Sequence, residues 1–97
     1  MTKRELDIVK EKVDRALKKL RSHWKEISAK YGESDPAINI ADLKADVEAI
    51  YCPNCGQIAA LVIRISEVSP GESWWMESYI LDEIGPLDVR VIVITEW

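Results

Sequence analysis

Cys52-Pro53-Asn54-Cys55-Gly56 holds both cysteines of the chain, at a spacing that lets two thiolates reach one metal ion from a single tight turn. Gly56, directly after the second thiol, can take the positive φ that such a turn requires. A closed structural zinc site takes four ligands, and this pair supplies two of them. The pair admits four uses. Two chains can each give Cys52 and Cys55 to one zinc shared across a dimer axis. One chain can complete the site with His23, or with Asp46, Glu48, Asp82 or Glu83, although oxygen ligands are uncommon in structural zinc sites. The turn can stand without metal, as a bare hairpin tip. Or the thiols can cycle between dithiol and disulfide, a use that needs the first Cys at a helix N-terminus to lower its pKa. The β-branched residues after Cys55 argue for a strand there instead. Metal ligation by Cys52 and Cys55, with Zn2+ as cofactor, is the leading expectation.

Other residues offer less. His23 is the single histidine. It stands beside Trp24 off the centre of an apolar stripe, which suits a partly exposed helix position. No nucleophile motif accompanies it, so a hydrolytic triad is not expected. Asp82, Glu83 and Asp88 bracket Ile84-Gly85-Pro86 and read as a solvated hairpin tip. With four glycines in all there is no phosphate-cradling loop. The four Trp and three Tyr could fill an interface or stack on bases, but residues 66–97 carry one base, Arg90, among many acids. Any nucleic-acid contact would therefore fall to Lys10, Arg15, Lys18, Lys19, Arg21 and Lys25, as a salt-sensitive grip on phosphates.

Those six residues belong to the strongest element of the sequence. From residue 3 to 31, Leu6, Val9, Val13, Ala16, Leu17, Leu20, Trp24, Ile27 and Tyr31 recur at steps of three and four, the stripe of an amphipathic helix. Thr2 and Glu5 fit a capping box, and Gly32 fits a stop. The helix would be roughly 40 Å long at ~1.5 Å per residue, so it either overhangs a small domain or packs against a second chain. Residues 1–31 carry ten Lys/Arg against five Asp/Glu, and residues 32–97 carry three against twelve, so +5 sits beside −9. The two halves can attract each other, or the basic helix can meet an acidic partner or a phosphate backbone.

Residues 32–37 form a polar connector, with Gly32 and Pro36 as breakers. Leu43–Tyr51 alternates apolar and polar residues like a half-buried strand, although Ile40, Leu43, Val47 and Ile50 also fit a helix. The strand reading is preferred because the cysteine turn needs a hairpin around it. Ile58–Ser66 is nearly all apolar and β-branched, a central strand. Ser69-Pro70-Gly71-Glu72 matches a type II turn. Residues 73–84 are ambiguous. Trp75, Met76, Tyr79, Ile80 and Ile84 could line a helix ending at Gly85-Pro86, yet the aromatic and β-branched content favours a strand, paired with residues 88–97.

The expected fold is α+β: one domain, 1–97, with a long N-terminal amphipathic helix packed on a four-stranded antiparallel β-meander. In this picture 1–31 is a basic helix, 32–37 a connector, and 38–97 an acidic sheet carrying the cysteine turn. The uncovered sheet face would hold apolar and aromatic residues from among Trp74, Trp75, Tyr79 and Trp97. That face and two sheet edges point to a homodimer.

Tyr51-Cys52-Pro53-Asn54-Cys55-Gly56-Gln57 resembles the C-P-x-C-G knuckle of zinc-ribbon proteins, in which a strand enters, the turn presents two sulfurs and a second strand leaves. The likeness covers residues 51–57 and the hairpin around them. Zinc ribbons carry a second knuckle, which this chain lacks. The function expected is that of a small non-enzymatic interaction or adaptor module with a structural zinc at Cys52 and Cys55, acting on an unidentified protein partner. The alternatives are a thiol-redox protein using the same pair, or a nucleic-acid-associated regulator binding through the basic helix. The charged N-terminus and the lack of any apolar run of about 20 residues predict a cytoplasmic protein with no membrane segment.

Overall fold

The Thr2 hydroxyl accepts from the Glu5 amide at 3.2 Å, while the Thr2 amide donates to Glu5 Oε1 at 3.1 Å. The capping box expected from the sequence therefore starts α1, Lys3–Lys30. The computed structural model describes residues 2–34, 36 and 40–96. Along α1, Leu6, Val9, Val13, Ala16, Leu17, Leu20 and Ile27 are buried, with Trp24 and Tyr31 packed against the same core. The helix kinks at His23, whose backbone leaves helical geometry (φ −133°, ψ 32°). It ends where Gly32 takes φ 91° and Glu33 N–H returns to the Ser28 carbonyl at 2.9 Å. The molecule is 46 Å in its longest dimension. At ~1.5 Å per residue α1 spans most of that length. Its apolar stripe, from Leu6 to Ile27, is buried against the rest of its own chain.

A 3₁₀ turn at Ile40–Asp42 leads into β1, Lys44–Tyr51, which pairs antiparallel with β2, Ile58–Ser66. The hairpin around the cysteine turn is as the sequence suggested. Beyond β2 the chain departs from the expected meander. Residues Ser73–Ile84 form a helix, α2, and not a strand. The last strand, β3, spans Arg90–Thr95 and runs parallel to β2, so the sheet is three-stranded and mixed, in the order β1-β2-β3. The reason lies in the residues that looked ambiguous. Trp75, Met76, Tyr79, Ile80 and Ile84 are all buried on one face of α2, and Gly85 ends the helix at φ 78°. Their aromatic bulk fills the space between helix and sheet, where it serves as well as in a strand. Once a helix intervenes, the chain returns along the sheet as a crossover and sets the next strand parallel. Gly71 also departs from expectation: Pro70–Glu72 is a 3₁₀ turn, and Gly71 is not among the positive-φ residues.

Both helices cover one face of the sheet. Val47, Leu61, Ile63 and Ile65 meet them there, flanked by Ala45, Ala49, Val91 and Val93. Tyr79 Oη donates to the Ala16 carbonyl at 2.7 Å and ties α2 to α1. Tyr31 packs edge-on to Tyr79 and donates to Asp82; burial first, then that carboxylate, pushes the Tyr31 phenol up to about 12. The opposite face carries Asp46, Glu48, Val62, Arg64, Ile92 and Ile94 by the alternation of the strands. The expected aromatic residues are not on it: Trp75 and Tyr79 are core, Trp74 is exposed on α2, and Trp97 lies outside the described residues. In the expected connector, Asp35 and Ala37 also lie outside them.

Candidate metal-binding site

The turn is built by its own backbone. Cys52 N–H donates to the Gln57 carbonyl at 2.7 Å, and Gly56 N–H donates to the Cys52 carbonyl at 2.9 Å. Gly56 sits at φ 73°, and an added Cβ there would meet nothing within 4 Å, so the glycine is required by conformation and not by crowding. A register shift adjoins the turn. Ile50 faces Ala60 while Tyr51 faces Ile58, which leaves Ala59 as an extra residue and lets both Ile58 and Leu61 point to the core. Such a bulge increases the local twist at the hairpin end.

Both cysteines are free thiols at the surface, Cys52 half-exposed and Cys55 exposed, and they lie 3.4 Å apart. The amide of Cys55, then that of Asn54, point at the Cys52 sulfur. Together with the Cys55 thiol they hold Cys52 below the ordinary thiol range. A thiolate is the form in which a cysteine can bind metal. Ile50 and Tyr51, which alternation placed on a half-buried strand, are 47% and 56% exposed. They give the turn an apolar shoulder.

The other proposed ligands are not gathered here. His23 lies 3.8 Å from Glu26 on α1. Asp82 accepts from Tyr31, Glu83 pairs with Lys19 at 2.9 Å, and Glu48 lies 3.9 Å from Arg64. Asp46 lies in the β1 row opposite Arg64. Among the described residues no three His, Cys, Asp or Glu side chains are grouped to hold a metal ion. Completion of the site by the named residues of the same chain thus finds no third ligand.

The six basic residues of α1 are spread around its outer half. Arg21 Nη2 donates to the Leu43 carbonyl at 2.6 Å, Lys19 pairs with Glu83, and Lys18 lies 3.6 Å from Asp14. Lys25 stands over the Trp24 ring at 5.4 Å. Lys10 lines an open groove of about 660 Å³ between α1 and β1, where Arg21 and Lys44 face Glu11, Asp14 and Asp46. Arg15 borders a smaller cleft with Lys12, Lys19 and Glu83. One further contact has no signal in the residue pattern: Lys12 Nζ donates to the Ile84 carbonyl at 3.2 Å, at the C-terminal end of α2 where a cation is favoured. No helix is long and apolar enough to cross a membrane.

In comparisons with known proteins, no family model, no curated protein and no solved structure matches this chain.

Proposed function

We propose that this chain is a small non-enzymatic interaction module whose Cys52–Cys55 turn supplies half of a four-thiolate zinc site, the other half coming from a second protein chain. The observation that carries the reading is the pair of amides, Cys55 and Asn54, directed at Cys52 Sγ within a turn that leaves both sulfurs at the surface. Four thiolates around one Zn2+ leave a net charge of about −2. Amide dipoles aimed at a sulfur offset that charge without adding a ligand. Two thiolates are an open half-site, and the exposed Ile50 and Tyr51 beside it offer apolar surface to whatever brings the other half.

Cobalt titration of the reduced, isolated chain tests this. With a second copy as the available partner and protein in excess, the cobalt–thiolate absorption should saturate near one metal per two chains. It should vanish in Cys52→Ser. Absence of the band, or its survival in Cys52→Ser/Cys55→Ser, overturns the proposal. The lowered Cys52 thiol beside Cys55 also favours a second reading, a dithiol that loses two electrons and two protons to an external disulfide oxidant. Against it, Cys55 is followed by β2 and not by a helix, so no helix dipole bears on the pair. A measured reduction potential in the range of cellular thiol pools, with no cobalt band, would select it.

A further inference from the structure

We infer that the outer edge of β3 is a self-association edge: two copies pair β3 with β3, antiparallel, about a two-fold axis at Val93, and join their sheets into one of six strands. The inference is independent of the metal site.

The two edges of the sheet are built differently. Edge strand β1 alternates the exposed charges Lys44, Asp46 and Glu48, a device that keeps an edge from pairing. Paired with itself about Val47, it would oppose Asp46 to Glu48 on both sides. Edge strand β3 has no charge between Val91 and Thr95, and none of its side chains is buried although Val91, Ile92, Val93 and Ile94 are apolar and β-branched. Among the described residues no strand pairs with its outer side.

The backbone fixes which groups are free. Glu96 N–H donates to the Ile65 carbonyl and Glu96 C=O accepts from Val68, both at 2.8 Å, so both Glu96 groups face β2. Alternation then turns the groups of Ile94 and Ile92 inward, and those of Thr95, Val93 and Val91 outward. An antiparallel partner in which Val93 opposes Val93, and Val91 opposes Thr95 of the second copy, satisfies all of the outward groups.

The side chains select the same register. With Val93 on the axis, Arg90 opposes Glu96 of the second copy, twice, and Ile92 opposes Ile94, twice. A slip of two residues sets Arg90 against Ile94, or Glu96 against Ile92, and loses both ion pairs. Arg90 is exposed and no salt bridge holds it among the described residues. Glu96 is already positioned by Arg64 at 3.0 Å. Opposite charges at facing positions favour one pairing, and like charges at the same positions oppose it.

Sedimentation equilibrium in chelator and reductant, which silence the cysteine turn, tests the edge. The wild-type chain should be a dimer. Arg90→Glu and Glu96→Arg each place like charges at both facing positions and should weaken self-association by about ten-fold or more. Mixed in equal amounts, the two variants restore both opposite-charge pairs and should associate with each other close to wild-type affinity. Both positions are exposed, and unchanged circular dichroism confirms that each variant is folded. A wild-type monomer at 100-fold the concentration of a typical assay, unchanged dimerisation in the single variants, or failure of the two variants to pair would each overturn the inference. A monomer that captures an extended segment of another protein would likewise replace it.

Discussion

Replacing Trp75 by Phe should destabilise the fold by about 2.5–4 kcal/mol. Trp75 is fully buried, and its indole N–H donates to Glu72 Oε2 at 2.5 Å. Glu72 is only 5% exposed. A hydrogen bond to a charged group contributes about 1.5–3 kcal/mol when the acceptor cannot turn to water instead. The ring also shrinks by roughly 40 Å³, which at about 24 cal/mol per Å³ of residual cavity adds about 1 kcal/mol. A domain of this size has a total stability of about 5–15 kcal/mol, so the loss is a large share of it. It should appear as a fall in Tm of roughly 10–30 °C. Urea unfolding of Trp75→Phe, Glu72→Gln and the double variant measures it. The double variant should cost less than the sum of the singles, because removing the carboxylate removes the charge that the indole served. If Trp75→Phe lies within about 1 kcal/mol of wild type, the bond does not anchor the start of α2 and the reasoning fails.

Ile63 is fully buried in β2, opposite Val47 on one side and Val93 on the other; Ile63→Ala should cost about 2–5 kcal/mol in chemical denaturation, whereas Ile50→Ala, at an exposed position, should stay within about 0.5 kcal/mol. Alkylation followed by peptide mass spectrometry should show Cys52 reacting at a pH below that of an ordinary thiol near 8.5, because the Cys55 and Asn54 amides favour its thiolate. The sign is fixed by the lowered value: at any pH under the ordinary range a larger fraction of Cys52 is ionised. A Cys52 pH–rate profile equal to that of a free thiol would contradict it.

The helix α1 was legible because its stripe, cap and stop agree with one another, and the β1–β2 hairpin because a turn of fixed chemistry separates two strand patterns. Two features were not. The segment 73–84 satisfies both periodicities in its apolar content, and single-residue β preference measures fit to a half-buried surface, which a helix packed on a sheet also offers. The direction of β3 could not be read at all, since it depends on whether a helix or a strand precedes it. The charge split between the halves was legible as a total but not as contacts. Lys12, Lys19 and Arg21 bind Ile84, Glu83 and Leu43, so part of the basic excess is used along the flanks of α1, two of these contacts going to backbone carbonyls that no charge count contains. At the site, the cysteines and Gly56 were found by type and spacing. The exposure of Ile50 and Tyr51 was hidden because alternation says which residues share a face, and not where the covering helices end.

Pairing at β3 would hold the two cysteine turns of one dimer apart, and this separates the two proposals. Antiparallel pairing with matched faces sets the two-fold axis across the sheet, so the helices of both copies lie on one side and the other side is a continuous six-stranded face. The cysteine turns then point in opposite directions along the strands. Ile58 lies five residues from Ile63, the partner of Val93, in each copy. At about 3.3 Å per residue, each turn is therefore some 17 Å or more from the axis. Two turns more than about 30 Å apart cannot share one metal ion within such a dimer. Metal bridging would join turns of different dimers, or a dimer to another protein, and with one such turn per chain and two per dimer an excess of dimer over metal should yield dimers linked in pairs. Glu96→Arg, studied at a concentration where its weakened β3 contact no longer holds, should leave one cobalt per two chains and a metal-dependent dimer. Cys52→Ser should leave the β3 dimer intact and remove all metal-dependent growth. If either variant abolishes both behaviours, the two contacts are one surface, and the antiparallel register about Val93 is wrong.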